Sequence, residues 1–416
     1  MRLFAVVLVL ITALLRFNPR SGALHIALWL AKLLATGLVL PMALLNGAMA
    51  LVGVKRRDWL LLLAGGAGSA IATHHLINVT RSRDEQFADA FGDDWQQQLS
   101  PTIKPLLRKQ RWRPICYRRF NGVLRQNVSY GRNPDSKRPL YADILQPPDN
   151  IPRSGLALIY VHGGAWTFGS RNIRKFPYFR QLARQGHLIM DIDYTLAAQT
   201  SLIGMVMDVK RAILWLKAHA DEYAIDPDRV VLAGQSAGGH LSLLAAYTPN
   251  LPALQPPEMT GDTAVCGVLS FYGPPDMQAL HSDMEEKFLR RLSPQVKDGI
   301  AEVVKRTQPK RPFTGIGVSA LMGGSPAEIP DIYRLLSPVV HVDADCPPTL
   351  LLHGDHDGLV QARETAVLYE KLREVGVTAV YLNFPDCEHS FESTLPQLSP
   401  AAQVAAYYTE RFLALL

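Results

Sequence analysis

Residues 229–247 constrain the fold more than any other part of the chain. A strand-like run, 229–233, leads into Gly234-Gln235-Ser236-Ala237-Gly238, and a helical stretch, 238–247, leads out. A serine framed by glycines between a strand and a helix sits on a sharp, strained turn. The glycines let neighbouring backbone approach it closely. The helix N-terminus behind it offers N–H groups to developing negative charge. A turn of this kind belongs at the carboxyl end of a buried strand, so the chain must supply a sheet around it.

The remaining sequence supplies one. Residues 156–161 and 188–192 are nearly continuous apolar runs, the pattern of strands buried on both faces. Further strands are expected at 264–271, 349–353 and 379–384, with helices at 174–185, 208–218, 362–374 and 403–415. Residues 127–132 and 140–146 read as a hairpin closed by Asn133-Pro134-Asp135-Ser136. Strands alternating with helices predict an α/β fold, a mostly parallel sheet with helices on both faces. Residues 274–336 break the alternation. They hold helical stretches at 283–291 and 294–306 and a loop with Pro309, Pro312 and Gly315, and they read as an inserted helical cap.

A nucleophilic serine needs a base, an acid to orient the base, and donors for the oxyanion. His162-Gly163-Gly164-Ala165-Trp166 follows the strand at 156–161. Its Gly-Gly pair can turn N–H groups into a pocket, so Gly163, Gly164 and Ala165, with Ala237, are the candidate oxyanion hole. His162 reads as a support for that loop. In this fold the acid precedes the histidine along the chain. Gly354-Asp355-His356-Asp357-Gly358 and Asp386-Cys387-Glu388-His389 each follow a strand, at the sheet edge where ligands bind. Asp357 and His389 are the candidates; Asp355, Asp386 and His356 are their rivals.

Taken together, His-Gly-Gly-Ala-Trp at 162–166, Asp193-Tyr194-Thr195-Leu196-Ala197, Gly-Gln-Ser-Ala-Gly-Gly-His at 234–240, and Ser337-Pro338 ahead of His353-Gly354 resemble the hormone-sensitive-lipase-like and isoprenylcysteine-methylesterase-like branch of the α/β-hydrolases. The resemblance runs from about Asn127 to the C-terminus. It implies the α/β-hydrolase fold and a carboxylesterase or lipase chemistry through an acyl-enzyme. In that reading Ser236 is nucleophile, His389 base, Asp357 acid and the 163–165 loop the oxyanion hole, with no metal and no organic cofactor. Ala165 stands where the family often has a third glycine, and Thr195, Ala198 and Gln199 depart from its usual Arg and Pro-Glu. An acyltransferase, an amide or formamide hydrolase, and a non-catalytic binding protein are the alternative functions. The last usually lacks a triad member.

The first 80 residues are of another kind. The chain is 48% hydrophobic and 19% charged, against about 25% charged in ordinary globular proteins. Much of the excess lies in apolar stretches at 3–15, 23–54 and 59–79. A bilayer-spanning helix takes about 20 apolar residues, and 33–54 and 59–79 reach that. The 3–15 stretch is shorter and also fits a signal peptide, although no small-x-small cleavage site follows it. Gly65, Gly66, Gly68 and Ser69 suit close helix packing in lipid. Arg2 and Lys55, Arg56 and Arg57 fall on one side of a three-span arrangement, and Arg16, Arg20, Arg81 and Arg83 on the other, so charge does not select an orientation. The expected organisation is a membrane-anchoring region at 1–80, multi-pass with two or three helices, a basic amphipathic lead-in at 81–126, and a catalytic domain at 127–416 with its cap at 274–336. The lead-in, with an amphipathic helix at 84–99, is expected to share the cap's task over Ser236. The partners are then a membrane and a small-molecule or lipid ester.

Net charge is +6, and basic residues gather between Lys104 and Arg125. They come with no zinc spacing and no RNA-binding signature, so no nucleic-acid partner is expected. Cys116, Cys266, Cys346 and Cys387 include no CxxC pair, which leaves no zinc or redox motif. Asn78-Val79-Thr80 and Asn127-Val128-Ser129 are glycosylation sequons that matter only in a secretory lumen.

Overall fold

The computed structural model describes residues 1–19, 22–114, 122–171, 177–197, 199–287, 293–296, 298–299, 302 and 317–416. Eight strands form one sheet: β1 (Val123–Arg132), β2 (Pro139–Gln146), β3 (Ala157–Val161), β4 (Leu188–Ile192), β5 (Val230–Gln235), β6 (Gly267–Phe271), β7 (Thr349–Gly354) and β8 (Ala379–Phe384). Their spatial order is β1-β2-β4-β3-β5-β6-β7-β8. β2 runs antiparallel to β1 and to β4; the remaining pairs are parallel. The hairpin is present and longer than expected, because β1 starts at Val123.

Successive residues of a strand point to opposite faces, and the two cores follow from that. Ala157, Ile159 and Val161 of β3 pack with Val209 and Ile213 of the helix Leu202–Ala218 and Leu241 and Leu244 of the helix after Ser236. Leu158 and Tyr160 pack with Phe179 and with Val404 and Tyr408 of the closing helix Pro400–Leu415. The helix Leu202–Ala218 begins six residues before the expected start at 208, capped by Ser201, whose hydroxyl accepts the Gly204 N–H at 3.2 Å. The expected helix at 174–185 is observed as Pro177–Ala183; its first residues, 174–176, lie outside the described residues.

Four helices precede the sheet: α1 (Arg2–Ala13), α2 (Gly22–Gly37), α3 (Val39–Arg56) and α4 (Trp59–Thr80). The expected span at 33–54 is therefore not one helix. Leu38, at φ −104° and ψ 19°, breaks it, and residues 33–37 belong to α2. α3 and α4 form a close antiparallel hairpin. A Cβ at Gly65 would lie 2.5 Å from the Asn46 carbonyl oxygen, so glycine sets the approach. Asn46 sits inside this bundle and donates to Thr12 Oγ1 at 3.0 Å, joining α1 to α3. Arg2 meets Asp58 at 2.7 Å, while Arg16 meets Asp386 of the main domain at 2.7 Å. Arg2 and Arg16 thus lie at opposite ends of α1.

The lead-in and the cap also differ from expectation. The helix at 84–99 is interrupted at Gly92, φ 91°, giving α5 (Asp84–Phe91) and α6 (Trp95–Gln98). Phe87, Trp95, Leu99 and Leu107 are buried together with residues of the closing helix. Phe87 and Tyr408 have ring centroids 5.2 Å apart, and Arg108 pairs with Glu410 at 2.6 Å. Of the cap, helix Met277–Lys287 starts six residues before the expected 283, with short helices at Val318–Met322 and Pro330–Leu335. Residues 288–292, most of the expected helix at 294–306, and the loop with Pro309, Pro312 and Gly315 lie outside the described residues, as does Ala198.

Candidate active site

β5 ends at Gln235, and the helix Ala237–Tyr247 starts two residues later. Ser236 between them has φ 54° and ψ −122°, a conformation that costs a non-glycine residue on the order of 1–3 kcal/mol. The surroundings impose it. A Cβ at Gly238 would collide with the Val161 carbonyl oxygen, and one at Gly234 with the backbone of Gly238. The Ser236 N–H donates to the Phe271 carbonyl at 2.8 Å, tying the turn to β6.

Ser236, His389 and Asp357 form one hydrogen-bonded line. His389 Nε2 lies 2.9 Å from Ser236 Oγ, and Nδ1 lies 2.6 Å from Asp357 Oδ2. A carboxylate can only accept, so Nδ1 carries the proton and Nε2 is free to accept from the hydroxyl. Asp357 is buried, and its Oδ1 accepts the N–H groups of Leu359 at 2.8 Å and Val360 at 2.9 Å. Burial alone would raise its pKa. The charge of His389 and hydrogen bonds from His353 and His389 outweigh that and hold it well below the usual carboxylate range. The rivals are employed elsewhere. Asp355 Oδ1 accepts the Asp386 N–H at 2.5 Å, and Asp386 pairs with Arg16. His356 Nε2 lies 3.6 Å from Asp386 Oδ1.

The glycine loop lies against the serine. A Cβ at Gly163 would sit 3.3 Å from Ser236 Cβ and 2.9 Å from the Gln235 carbonyl. Gly164 has φ 128°, while Ala165 at 47° and Trp166 at 60° adopt the left-handed conformation that a side chain disfavours. The backbone shape thus persists at Ala165, where the family often has glycine. His162 stacks on Tyr194 with centroids 4.4 Å apart, and its Nδ1–H donates to the Gly163 carbonyl at 2.7 Å. Burial lowers its pKa to about 4, against the effect of that hydrogen bond, so it stays neutral and braces the loop.

Four neighbours, His353, Tyr272, Glu392 and His240, have no role assigned from the sequence. His353 Nε2 lies 3.1 Å from Asp357 Oδ2 and 3.1 Å from the Val360 carbonyl, while its Nδ1 meets Thr365 Oγ1 at 2.8 Å. It therefore gives Asp357 another donor. The Tyr272 ring packs on His389 at 4.4 Å between centroids, and its hydroxyl binds Glu392. Burial pushes the Glu392 carboxyl up to about 7, with the Tyr272 hydrogen bond opposing. His240 Nε2 meets the Leu336 carbonyl at 2.8 Å, linking the helix after Ser236 to the cap. Among the described residues, no cluster of His, Cys, Asp and Glu could hold a metal ion.

A family model described as BD-FAE matches residues 142–372, more than half of the chain. The chain belongs to this family. It is a hormone-sensitive-lipase-like α/β-hydrolase, as the motifs implied. The probable carboxylic ester hydrolase LipM of Mycobacterium tuberculosis is 34% identical over 292 residues, which are 69% of this chain and 60% of the relative. Esterase LipC of the same organism is 32% identical over 289 residues, 68% of this chain and 64% of the relative. The match thus spans somewhat less than two thirds of either relative. The apo form of Thermogutta terrifontis esterase 2 aligns with a TM-score of 0.51 at 22% identity, covering 68% of this chain and 91% of that one. That likeness shows the fold.

Proposed function

We propose that the chain is a serine carboxylesterase held at a membrane by its N-terminal helices. The observation that carries the reading is the line from Ser236 Oγ through both nitrogens of His389 to Asp357 Oδ2. The names of LipM and LipC support ester hydrolysis as the reaction class. In the first step His389 Nε2 takes the Ser236 proton as Oγ attacks the ester carbonyl. The N–H groups of Gly164, Ala165 and Ala237 face the developing oxyanion. The carbon–alkoxide bond then breaks, and His389 returns the proton to the leaving alcohol. Water attacks the acyl-enzyme with its proton passing to His389, and the acid leaves as Ser236 is regenerated. Asp357 holds Nδ1–H throughout and steadies the imidazolium.

Detergent-solubilised protein is expected to hydrolyse p-nitrophenyl esters in a panel of graded acyl length. A fluorophosphonate is expected to attach at Ser236, as read by peptide mass spectrometry. Absence of turnover across the panel, or attachment elsewhere, would sink the assignment. Adding an alcohol acceptor separates hydrolysis from acyl transfer, since a transferase returns mainly the new ester.

For the anchor, α3 and α4 are long and apolar enough to cross a membrane. At 18 and 22 residues they extend about 27 and 33 Å, near the roughly 30 Å of a hydrocarbon core. Only 28% of either apolar window is buried, unlike the core helix of a soluble protein. Leu51, Trp59 and Leu63 are among the side chains turned outward. The organisation proposed is an anchoring region at 1–80, a lead-in at 81–126, and the catalytic domain at 127–416 with its cap at 274–336. After washing membranes with alkaline carbonate, the full-length protein is expected in the pellet; recovery in the supernatant would exclude the anchor.

A further inference from the structure

Helix α2 buries polar side chains beside Leu33 and Ala35 and turns leucines outward. A helix on a water-soluble surface turns its apolar stripe inward and its polar face out. In α2 the side chains of Leu24, Leu30 and Leu34 are exposed, while His25, Lys32 and Thr36 are buried and Trp29 is half-buried. The spacing of His25, Trp29, Lys32 and Thr36 places them on one face. That face lands on the segment carrying His389. Lys32 Nζ forms an ion pair with Glu388, and His25 Nε2 lies 2.6 Å from Glu388 Oε2. Trp29 Nε1 donates to the main-chain carbonyl of His389 itself at 3.0 Å.

This cluster is sealed. Glu388 is 0% exposed and Lys32 1%. A buried carboxylate deprived of its partners is strongly unfavourable, and among the described residues both ion-pair partners of Glu388 come from α2. The loop bearing the acid is touched as well. Gly358, next to Asp357, packs against the His25 ring so closely that a Cβ there would overlap it. On the same segment, Asp386 takes Arg16 from beyond α1 at 2.7 Å and faces His75 of α4 at 3.5 Å. The N-terminal helices therefore grip both loops that supply the imidazole and its carboxylate.

We propose that α2 is a positioning element of the active site. Lys32 and His25 act through Glu388, and Trp29 acts through the His389 carbonyl, to seat the imidazole between Ser236 and Asp357. The outward leucines make the opposite face of the same helix suited to a lipid surface, so anchoring and catalytic geometry share one element. The inference rests on His389 being the base.

The test uses the full-length protein in detergent and a short, water-soluble p-nitrophenyl ester. Turnover is expressed per site titrated with fluorophosphonate, so that misfolded protein is not counted. Trp29→Phe keeps the ring and removes only the donor. It is expected to lower kcat by about fivefold with KM unchanged, the scale of one lost hydrogen bond. Lys32→Met combined with Glu388→Gln removes both buried charges together, which spares folding, and is expected to lower kcat by about tenfold or more, again with KM unchanged. A helix that only packed would alter melting temperature and the titratable fraction, not kcat per site. A loss in either variant supports the proposal, and wild-type kcat per site in both overturns it. Should Ser236→Ala or His389→Ala retain turnover, the triad reading itself fails, which is a separate outcome from wild-type behaviour in the α2 variants.

Discussion

Ser236→Ala is expected to lower ester turnover by about 10⁴- to 10⁶-fold while the protein remains folded. Ser236 Oγ lies 2.9 Å from His389 Nε2, the contact through which it would hand over its proton on attack. His389→Ala should cost about as much, and the double variant little more, because serine and histidine act as one unit. Ser236→Gly separates chemistry from strain. It loses the same activity, but glycine adopts φ 54° without the penalty a side chain brings. Relief of about 1–3 kcal/mol predicts that Ser236→Gly melts several degrees above Ser236→Ala. Equal melting temperatures would mean that the turn stores no strain. Turnover within tenfold of wild type in Ser236→Ala would remove Ser236 as nucleophile.

Much of the sheet was legible because its signals are local. The helix Ala362–Glu374 and the strand Ala379–Phe384 fall where the sequence places them, since their periodicity and their neighbours agree. The Ser236 turn was legible for the same reason: strand, glycines and helix are contiguous. What the sequence hid is relational. Lys32 reads as a lone charge in an apolar stretch, and the partner shared with His25, Glu388, is 363 residues further on from that histidine. His353 stands near the end of β7, four residues before Asp357, while Tyr272 follows β6 and reaches His389, beyond β8, only through the sheet order β6-β7-β8.

The break within 33–54 and the partner of the lead-in leave no local signal. Hydropathy does not register the break at Leu38, because every residue around it is apolar or small, so two helices were read as one span. The lead-in breaks the sheet alternation, and that is the ground for expecting it to share the cap's task. Its aromatic face packs with the closing helix, where Phe87 and Trp95 are buried. Amphipathicity says that a face will be covered, and not by what.

Asp357→Asn is expected to lower turnover by about 10⁴-fold, the cost of this exchange in a comparable triad. The reason lies in the donors around the carboxylate. Oδ2 accepts from His389 Nδ1 and His353 Nε2, and Oδ1 accepts from the N–H groups of Leu359 and Val360. An asparagine has one oxygen and one NH₂, so it must present a donor to one of these donor pairs. If the NH₂ faces His389, the imidazole moves its proton to Nε2 and can no longer accept from Ser236. If it faces Leu359 and Val360, two buried N–H groups lose their acceptor and the loop shifts. Asp355→Asn has no such conflict, since its amide oxygen can still accept the Asp386 N–H that Oδ1 now takes. Its turnover is expected within about threefold of wild type, the scale of one weakened hydrogen bond. Both variants are to be assayed per fluorophosphonate-titrated or antibody-quantified folded protein. Asp355→Asn inactive and Asp357→Asn active would move the orienting acid to Asp355 and break the line from Ser236 on which the reading stands.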